Sequence, residues 1–409
     1  MNKNLRKIKR GLKYNIFKYT FYFYKYKILE FFLKKKNKIK ILFPLYSVSI
    51  WKTESLYKKM LVDNDIEPLL LVCNWKKEEF EELKDYLKEK KYNYILNTDN
   101  LNIEKEIKPD IILYSCPYME ILGNNINIRN LKTTLTCYIP YYYNIDSNYE
   151  SGYNQPFHNF LWRYYVPTDI HLEHSKKFSK MRGKNVRVLQ YLQFEKFFEM
   201  SKKYENKIKK KKILIWAPHH ILDDSNIYKT LTFEKYSDFM IEMSEKYKDD
   251  LKIIFKPHPI LYYNLIKKWG KERTEKYYNL WKNSTIRGIH LKNYEELFFF
   301  SDGMIHNCGS FTIEYLYLKK PVCRITNDIE KWKEEFNEIG LEALQCHQIA
   351  KNKQDIENFI QDLLKNKDDK KIEKEKFYEN YLKIDQKDLP SDKIIREIKK
   401  EFNIKDTNI

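Results

Sequence analysis

Glycine is scarce in this 409-residue chain, at nine positions, and proline occupies only twelve. That scarcity excludes collagen-like and Pro/Gly-rich low-complexity material. No run reaches the ~18 uncharged apolar residues needed to cross a bilayer. A basic start is present, but no apolar core with a small-residue cleavage site follows it, so a secretory signal is not expected. The six cysteines contain no Cys-x-x-Cys pair, and reduced thiols in a cytoplasmic protein are the expectation. The phosphate loop G-x-x-x-x-G-K-[ST], the dinucleotide fingerprint G-x-G-x-x-G and the nucleophile elbow G-x-S-x-G are all missing. Acid is nearly absent from residues 1–40, which hold 14 Lys or Arg against Glu30 alone.

What is present is a chain able to bury cores. Apolar types make up 43% and aromatics 16%. Of the formal charge of +19, the first forty residues carry +13, so the body is nearly balanced. At roughly 150 residues per domain the length suggests two or three domains. Leu5, Ile8, Leu12 and Ile16 recur at helical spacing among the lysines. Residues 1–38 are therefore expected to form basic amphipathic helices on an anionic membrane surface. A solvated helix is the plainer alternative. No nucleic-acid-binding motif accompanies the charge, and no nucleic-acid partner is expected.

From residue 39 the pattern alternates strand and helix. Ile39–Leu45, Pro68–Cys73, Asp110–Ser115 and Thr133–Ile139 read as buried strands, with helices at Lys52–Leu61 and Lys76–Lys90. A second block has strands at Lys212–Ala217, Leu251–Phe255, Gly303–His306 and Pro321–Ile325. Its helices are read at Phe233–Tyr247, Asn293–Phe300 and Thr312–Leu318. This predicts an α/β protein of two facing, doubly wound, Rossmann-like domains. The boundaries read as 39–205 and 206–365, with a helical segment over 366–409. Within that segment Ser391 is read as the cap of a helix reaching Phe402.

Three turns of the second block follow strands that would end on one edge. They are Trp216-Ala-Pro-His-His220, Lys256-Pro-His-Pro259 and the loop inside Ser301–Glu314, SDGMIHNCGSFTIE. Each suits a phosphorylated ligand. Gly309 allows close approach of backbone N–H groups, and Ser310 and Thr312 offer hydroxyls. The start of the helix carrying Glu314 adds partial positive charge. Lys256 and His258 are placed to neutralise a diphosphate, and Glu314 to accept from ligand hydroxyls. Taken singly, a Gly-Ser is a cap and a His-Pro is a turn. Three such features on one edge point to a ligand site. Asp63-Asn-Asp65 has the letters of a metal-binding Asp-x-Asp but precedes a strand, and is read as a turn. His171-Leu-Glu-His174 lacks a third ligand, so no metal site is expected.

KKILIWAPHH, LKIIFKPHP, YEELFFFSDGMIHNCGSFTIEYLYLKKPV and FYENYLKIDQKDLPSDKIIREI together resemble the CDP-glycerol glycerophosphotransferase family, which builds teichoic-acid-type polymers. The resemblance covers about residues 163–400 and is looser from residue 40. It implies the GT-B arrangement and a CDP-activated polyol donor held by the second domain. It also implies metal- and cofactor-independent transfer to a lipid-linked glycan, on the inner face of the cytoplasmic membrane. By position, His258, Ser310 and Glu314 take donor-contact roles, and His219 and His220 lie in the turn that approaches the donor phosphates; with Lys256, Asn307, Gly309 and Thr312 they make up the candidate donor-binding set. Two departures stand out. Asn307 occupies a position where Asp is common. The family's His-Gly, source of its proposed base, has no counterpart in Tyr138–Asn144, YIPYYYN. Asp146, His158 and Tyr141 are the substitute candidates for a base. Two other readings remain open: a GT-B glycosyltransferase using a nucleotide sugar, and a non-catalytic envelope-assembly protein.

Overall fold

A computed structural model describes residues 19–204, 210–222, 232–291, 294–326 and 328–404. The helical repeat read at Leu5–Ile16 lies outside them. The chain divides into two compact units, one of residues 1–144, 148–195 and 384–409, the other of 145–147 and 196–383.

The first unit holds seven strands: β1 (Ile39–Leu45), β2 (Ile66–Val72), β3 (Ile95–Leu96), β4 (Ile111–Tyr114), β5 (Leu135–Tyr138), β6 (Arg163–Val166) and β7 (Val186–Val188). They form one sheet in the order β3-β2-β1-β4-β5-β6-β7, and every pairing is parallel. Strands buried on both faces read as unbroken apolar runs, which is why IKILFPL and IILY are legible.

A helix over 19–33 packs on this unit by one face only. Tyr19, Tyr22, Tyr26 and Leu33 are buried. The Tyr26 hydroxyl donates to Phe160 O at 2.7 Å, and Trp162 Nε1 donates to Glu30 at 2.5 Å. Residues 19–33 are thus part of the unit's core.

The second unit has β8 (Lys212–Ala217), β9 (Leu251–Phe255), β10 (Arg287–Ile289), β11 (Gly303–His306), β12 (Val322–Ile325) and β13 (Gln348–Ala350). Their order is β10-β9-β8-β11-β12-β13, again wholly parallel. Its core is aromatic: Trp216 stacks on Phe255 at 4.9 Å and lies 5.6 Å from Trp281. The two sheets share one winding, with strand order reversing beside β1 and β8.

The C-terminal stretch is not a separate segment. Residues 366–383 belong to the second unit, and 384–409 return to the first. The last helix runs Pro390–Glu401 with Leu389 at its N-cap. Ser391 is inside the helix, where its N–H and hydroxyl both donate to the buried carboxylate of Glu195, at 2.9 and 2.5 Å. Proline at the first helical position explains the shift, since its missing N–H needs no cap.

Candidate functional site

Register fixes where the second unit presents its loops. Trp216 pairs with Phe255, and Ala217 with His306. Strands β8, β9 and β11 therefore end level, and the turns 218–220, 256–258 and 307–310 leave one edge. β8 and β11 flank the point where strand order reverses, the place where parallel α/β sheets take ligands.

Three imidazoles meet there. The ring of His220 lies 4.1 Å from His219 and 4.3 Å from His258, and His219 lies 5.8 Å from His258. Ile221 N–H donates to His219 Nδ1 at 3.4 Å, and Ile260 N–H donates to His258 Nδ1 at 3.2 Å. A neutral imidazole whose Nδ1 accepts must carry its proton on Nε2. Both rings are thereby set as Nε2–H donors. Burial, then the nearby His220, His258 and Arg324, push His219 down to about 3, so it stays neutral at pH 7. Asn264 holds His220 through its carbonyl at 2.9 Å.

The loop after β11 is wired to this cluster. Asn307 is buried, and its Oδ1 accepts from His219 N–H at 2.6 Å. Its role is to join two turns. Cys308 donates its N–H to His306 Nδ1 at 3.2 Å and its thiol to Ala217 O at 3.2 Å. Its carbonyl accepts from Arg324 Nη1 at 3.1 Å and from Thr312 Oγ1 at 2.9 Å. Gly309 and Ser310 are exposed, and among the described residues their N–H groups bond no protein atom. Ser310 makes no capping bond, which leaves its hydroxyl for a ligand. A Cβ on Gly309 would meet nothing within 4 Å. Its φ is ordinary as well. Neither packing nor backbone conformation requires glycine there, and its absent side chain leaves the loop amides open to close approach.

Three expectations need correction. Thr312 is fully buried, and its hydroxyl is spent on Cys308 O and on Arg324 Nη1, 2.6 Å away, so it braces the loop instead of touching a ligand. Glu314 is also buried and accepts from the Tyr294 hydroxyl, so it does not present a free edge to ligand hydroxyls. The helix carrying it is only Phe311–Glu314, passing into a 3₁₀ turn at Tyr315–Leu318. So short a helix has little macrodipole, and the donors are the loop amides themselves.

Lys256 is buried, and its charge together with that of Arg324 acts on the Cys308 thiol, placing both cations near the loop. Arg324 is fully buried on β12, where burial pulls it down to about 10. It was missed in the sequence, as were His306 and His347. The available signal was a lone arginine inside the apolar run PVCRI. A guanidinium in such a strand needs polar partners at the strand's end.

The candidate bases are not grouped. His158 is buried in the first unit, and burial pushes it down to about 3. Tyr141, in the same unit, is half-buried with its hydroxyl 3.4 Å from that of Tyr118. Asp146 belongs to the second unit, where it forms an isolated antiparallel bridge with Phe336. Burial, reinforced by Glu335, pushes its carboxyl up to about 6. Asp63 and Asp65 both pair with Lys399, at 2.7 and 2.9 Å, and act as a structural clamp. Both ring nitrogens of His171 are engaged, by Thr168 at 2.7 Å and Asn144 O at 2.8 Å. Among the described residues no three His, Cys, Asp or Glu side chains converge as metal ligands.

Comparison with known proteins now bears on the site. No curated protein matches the sequence. Among solved structures, the wall teichoic acid polymerase TagF is 14% identical, with 95% of this chain and 98% of that one covered at a TM-score of 0.58. The S. aureus MnaA–UDP co-structure is also 14% identical, covering 90% and 98% at 0.58. The UDP-GlcNAc 2-epimerase of Neisseria meningitidis, bound to UDP-GlcNAc, is 13% identical, covering 88% and 99% at 0.53. Identities this low establish a shared GT-B-like fold of two parallel-sheet α/β domains. They do not choose among chemistries. The choice comes from the family described as CDP-Glycerol:Poly(glycerophosphate) glycerophosphotransferase, which matches residues 188–400, over half the chain and all three site loops. The chain belongs to that family, and it is a transferase.

Proposed function

We propose that the chain transfers a polyol phosphate, glycerol phosphate first among them, from a CDP-activated donor to a hydroxyl of a membrane-linked glycan in cell-surface polymer synthesis. The carrying observation is the edge where two Nε2–H imidazoles, the free amides of Gly309 and Ser310, and the cations Lys256 and Arg324 gather within the family-matched segment. Such an edge fits a diphosphate. A solved TagF variant soaked with CDPG supports a cytidine donor.

In the reaction the acceptor oxygen attacks the polyol-bearing β-phosphorus and a base takes its proton. The bond from that phosphorus to the bridging oxygen breaks, and CMP leaves with the electron pair. Charge accumulating on the departing phosphate is met by the imidazole and amide donors, which are positioned beforehand. Asp146 is the preferred base, because a carboxyl raised to about 6 is matched to work near neutrality. His158 is too deeply buried and too weakly basic for that role.

The test is CMP release on incubation with CDP-glycerol and a lipid-linked acceptor. Release that disappears in Asp146→Asn supports the reading. No CMP with any CDP-polyol, beside an active control enzyme, overturns it. Thermal shifts separate the donor classes: CDP at ~100 Kd adds about 2.7 kcal/mol of stability. Stabilisation by UDP or GDP instead selects a nucleotide-sugar glycosyltransferase. Unchanged surface polymer in cells carrying His258→Ala and Ser310→Ala selects a non-catalytic assembly role.

A membrane-linked acceptor calls for docking at the inner leaflet, and the helix over 19–33 supports it. Opposite its buried face, Phe21, Tyr24, Ile28, Phe31 and Phe32 are exposed at helical spacing, with lysines beside them. Aromatic rings at the headgroup level and lysines against anionic lipid suit an in-plane helix. No helix among the described residues is long and apolar enough to cross a membrane. Phe21→Ser, Phe31→Ser and Phe32→Ser combined should abolish sedimentation with phosphatidylglycerol vesicles while leaving the melting temperature in place. Undiminished sedimentation rejects the docking face.

A further inference from the structure

Two histidines stand behind the loop, outside the proposed ligand contacts, and fix it from within the protein. His306 ends β11, and His347 lies just before β13, with β12 between those strands. Both are buried. Their hydrogen bonds admit one direction. His347 Nδ1 is 2.8 Å from Ala343 O, and a carbonyl only accepts, so Nδ1 carries the proton. His347 Nε2 is then bare and must accept from His306 Nε2–H, 3.1 Å away. That leaves His306 Nδ1 bare, as needed to accept from Cys308 N–H at 3.2 Å. The series closes without an unmatched donor or acceptor: Cys308 N–H to His306, His306 to His347, His347 to Ala343 O.

The consequence reaches the loop. Cys308 has its N–H drawn inward by His306, its carbonyl held by Arg324 and Thr312, and its thiol turned to Ala217 O. Each polar atom of that residue is engaged by the protein. The next two amides, of Gly309 and Ser310, are the ones left outward. If His306 carried its proton on Nδ1, Cys308 N–H would face another donor and the turn would have to re-form.

We propose that His347 is a positioning residue: through its bare Nε2 it holds His306 in the Nε2–H tautomer, and so sets the 307–310 loop in its donor-binding form before the ligand arrives. The inference rests on the proposed diphosphate site for its functional readout, but not for its structural one. Burial keeps both rings neutral, His347 being pushed down to about 3 and His306 well below its ordinary value. The network is thus a fixed orienting device. A preset loop spends less of the binding energy on ordering.

The experiment has two arms on the full chain. Nitrogen-15 NMR of the wild type, with the histidine rings assigned by through-bond correlation to their own backbones, is expected to show His306 bare at Nδ1 and protonated at Nε2. A protonated Nδ1 on His306 overturns the proposal even if no variant folds. Calorimetric CDP affinity is then compared across variants. His347→Leu removes the acceptor and should weaken binding by about tenfold, while His347→Gln, whose Oε1 can accept, should stay within about threefold of wild type. Wild-type affinity in folded His347→Leu overturns it, as does equal weakening by both substitutions. A wild type that binds no cytidine nucleotide rejects the diphosphate site, and the nitrogen spectra then decide the relay alone.

Discussion

The two sheets are wound alike, yet they spend their buried polar groups differently. In the second unit the strand ends around β8 carry imidazoles, a lysine and an arginine joined in one network. At the equivalent ends of β1, β2 and β4 the first unit has Tyr46, Ser47, Cys73, Ser115 and Cys116, all buried and none charged at pH 7. Its buried charges sit elsewhere, as ties. Arg163 reaches Glu30 on the 19–33 helix and Glu401 on the last helix, at 3.8 and 2.6 Å. Lys399 reaches Asp63 and Asp65. The winding supplies a ligand-facing edge twice, and only one of the two is furnished for an anion. Fold alone therefore underdetermines chemistry, and the side chains at the strand ends decide it.

The largest effect expected from this contrast is on stability in the first unit. Lys399→Met leaves the half-buried Asp63 and Asp65 without their cation, at a cost of about 3 kcal/mol. Its CDP affinity should match that of wild type where both are folded. Removing residues 1–38 should also destabilise, because Tyr19, Tyr22, Tyr26 and Leu33 leave the core. If Lys399→Met loses CDP affinity in proportion to stability, the separation of ties from site fails.

Next comes activity in the second unit. His258→Ala removes an oriented N–H donor, and kcat/KM for CDP-glycerol should fall by about 10²–10³. Ser47→Ala, at the matching edge of the first sheet, should leave it unchanged. An equal loss from both would show that the two edges share the donor and would break the comparison.

The strands that build the site were legible to the residue. KILIWA, LKIIF and GMIH are continuous apolar runs, and a doubly covered parallel sheet demands that pattern. The short strands RYYV, VRV, RGI and QIA carried too little apolar signal to be read. The turns with His219, His258, Gly309 and Ser310 could be placed on one edge because they follow legible strands. Thr312 and Glu314 were given ligand contacts on residue type and Asn307 by its place in the resemblance, but their partners come from Arg324, Tyr294 and His219. Burial of a polar group is a tertiary property that no local spacing encodes. Arg324 and the His306–His347 pair stayed hidden for the same reason.

The smallest expected effect tests how each unit meets acid. A buried histidine held neutral binds no proton when folded, whereas the unfolded chain takes one below pH ~6.5. Its contribution to stability is therefore intact above that pH and lost as pH falls toward the depressed folded value. His158 is the first unit's instance, pushed down to about 3. The second unit has His219 and His347 at about 3 and His306 lower still. Asp146 has the opposite sign: raised to about 6, it holds an extra proton when folded, and its contribution declines as pH rises through that value. Amide-exchange protection should consequently fail in the second unit before the first between pH 6.5 and 5. Earlier failure in the first unit would reverse the comparison. His158→Phe refines it. Among the described residues neither ring nitrogen of His158 has a hydrogen-bond partner, and Tyr164 lies 5.2 Å away, ring to ring. Phenylalanine keeps the aromatic contact and removes two orphaned polar atoms, a gain of about 1 kcal/mol at pH 7. At pH 5 the gain should be about 2 kcal/mol larger, because the variant has no proton to refuse. It should nevertheless leave the acid lability of the second unit where it was, since His219, His306 and His347, all held neutral, remain there.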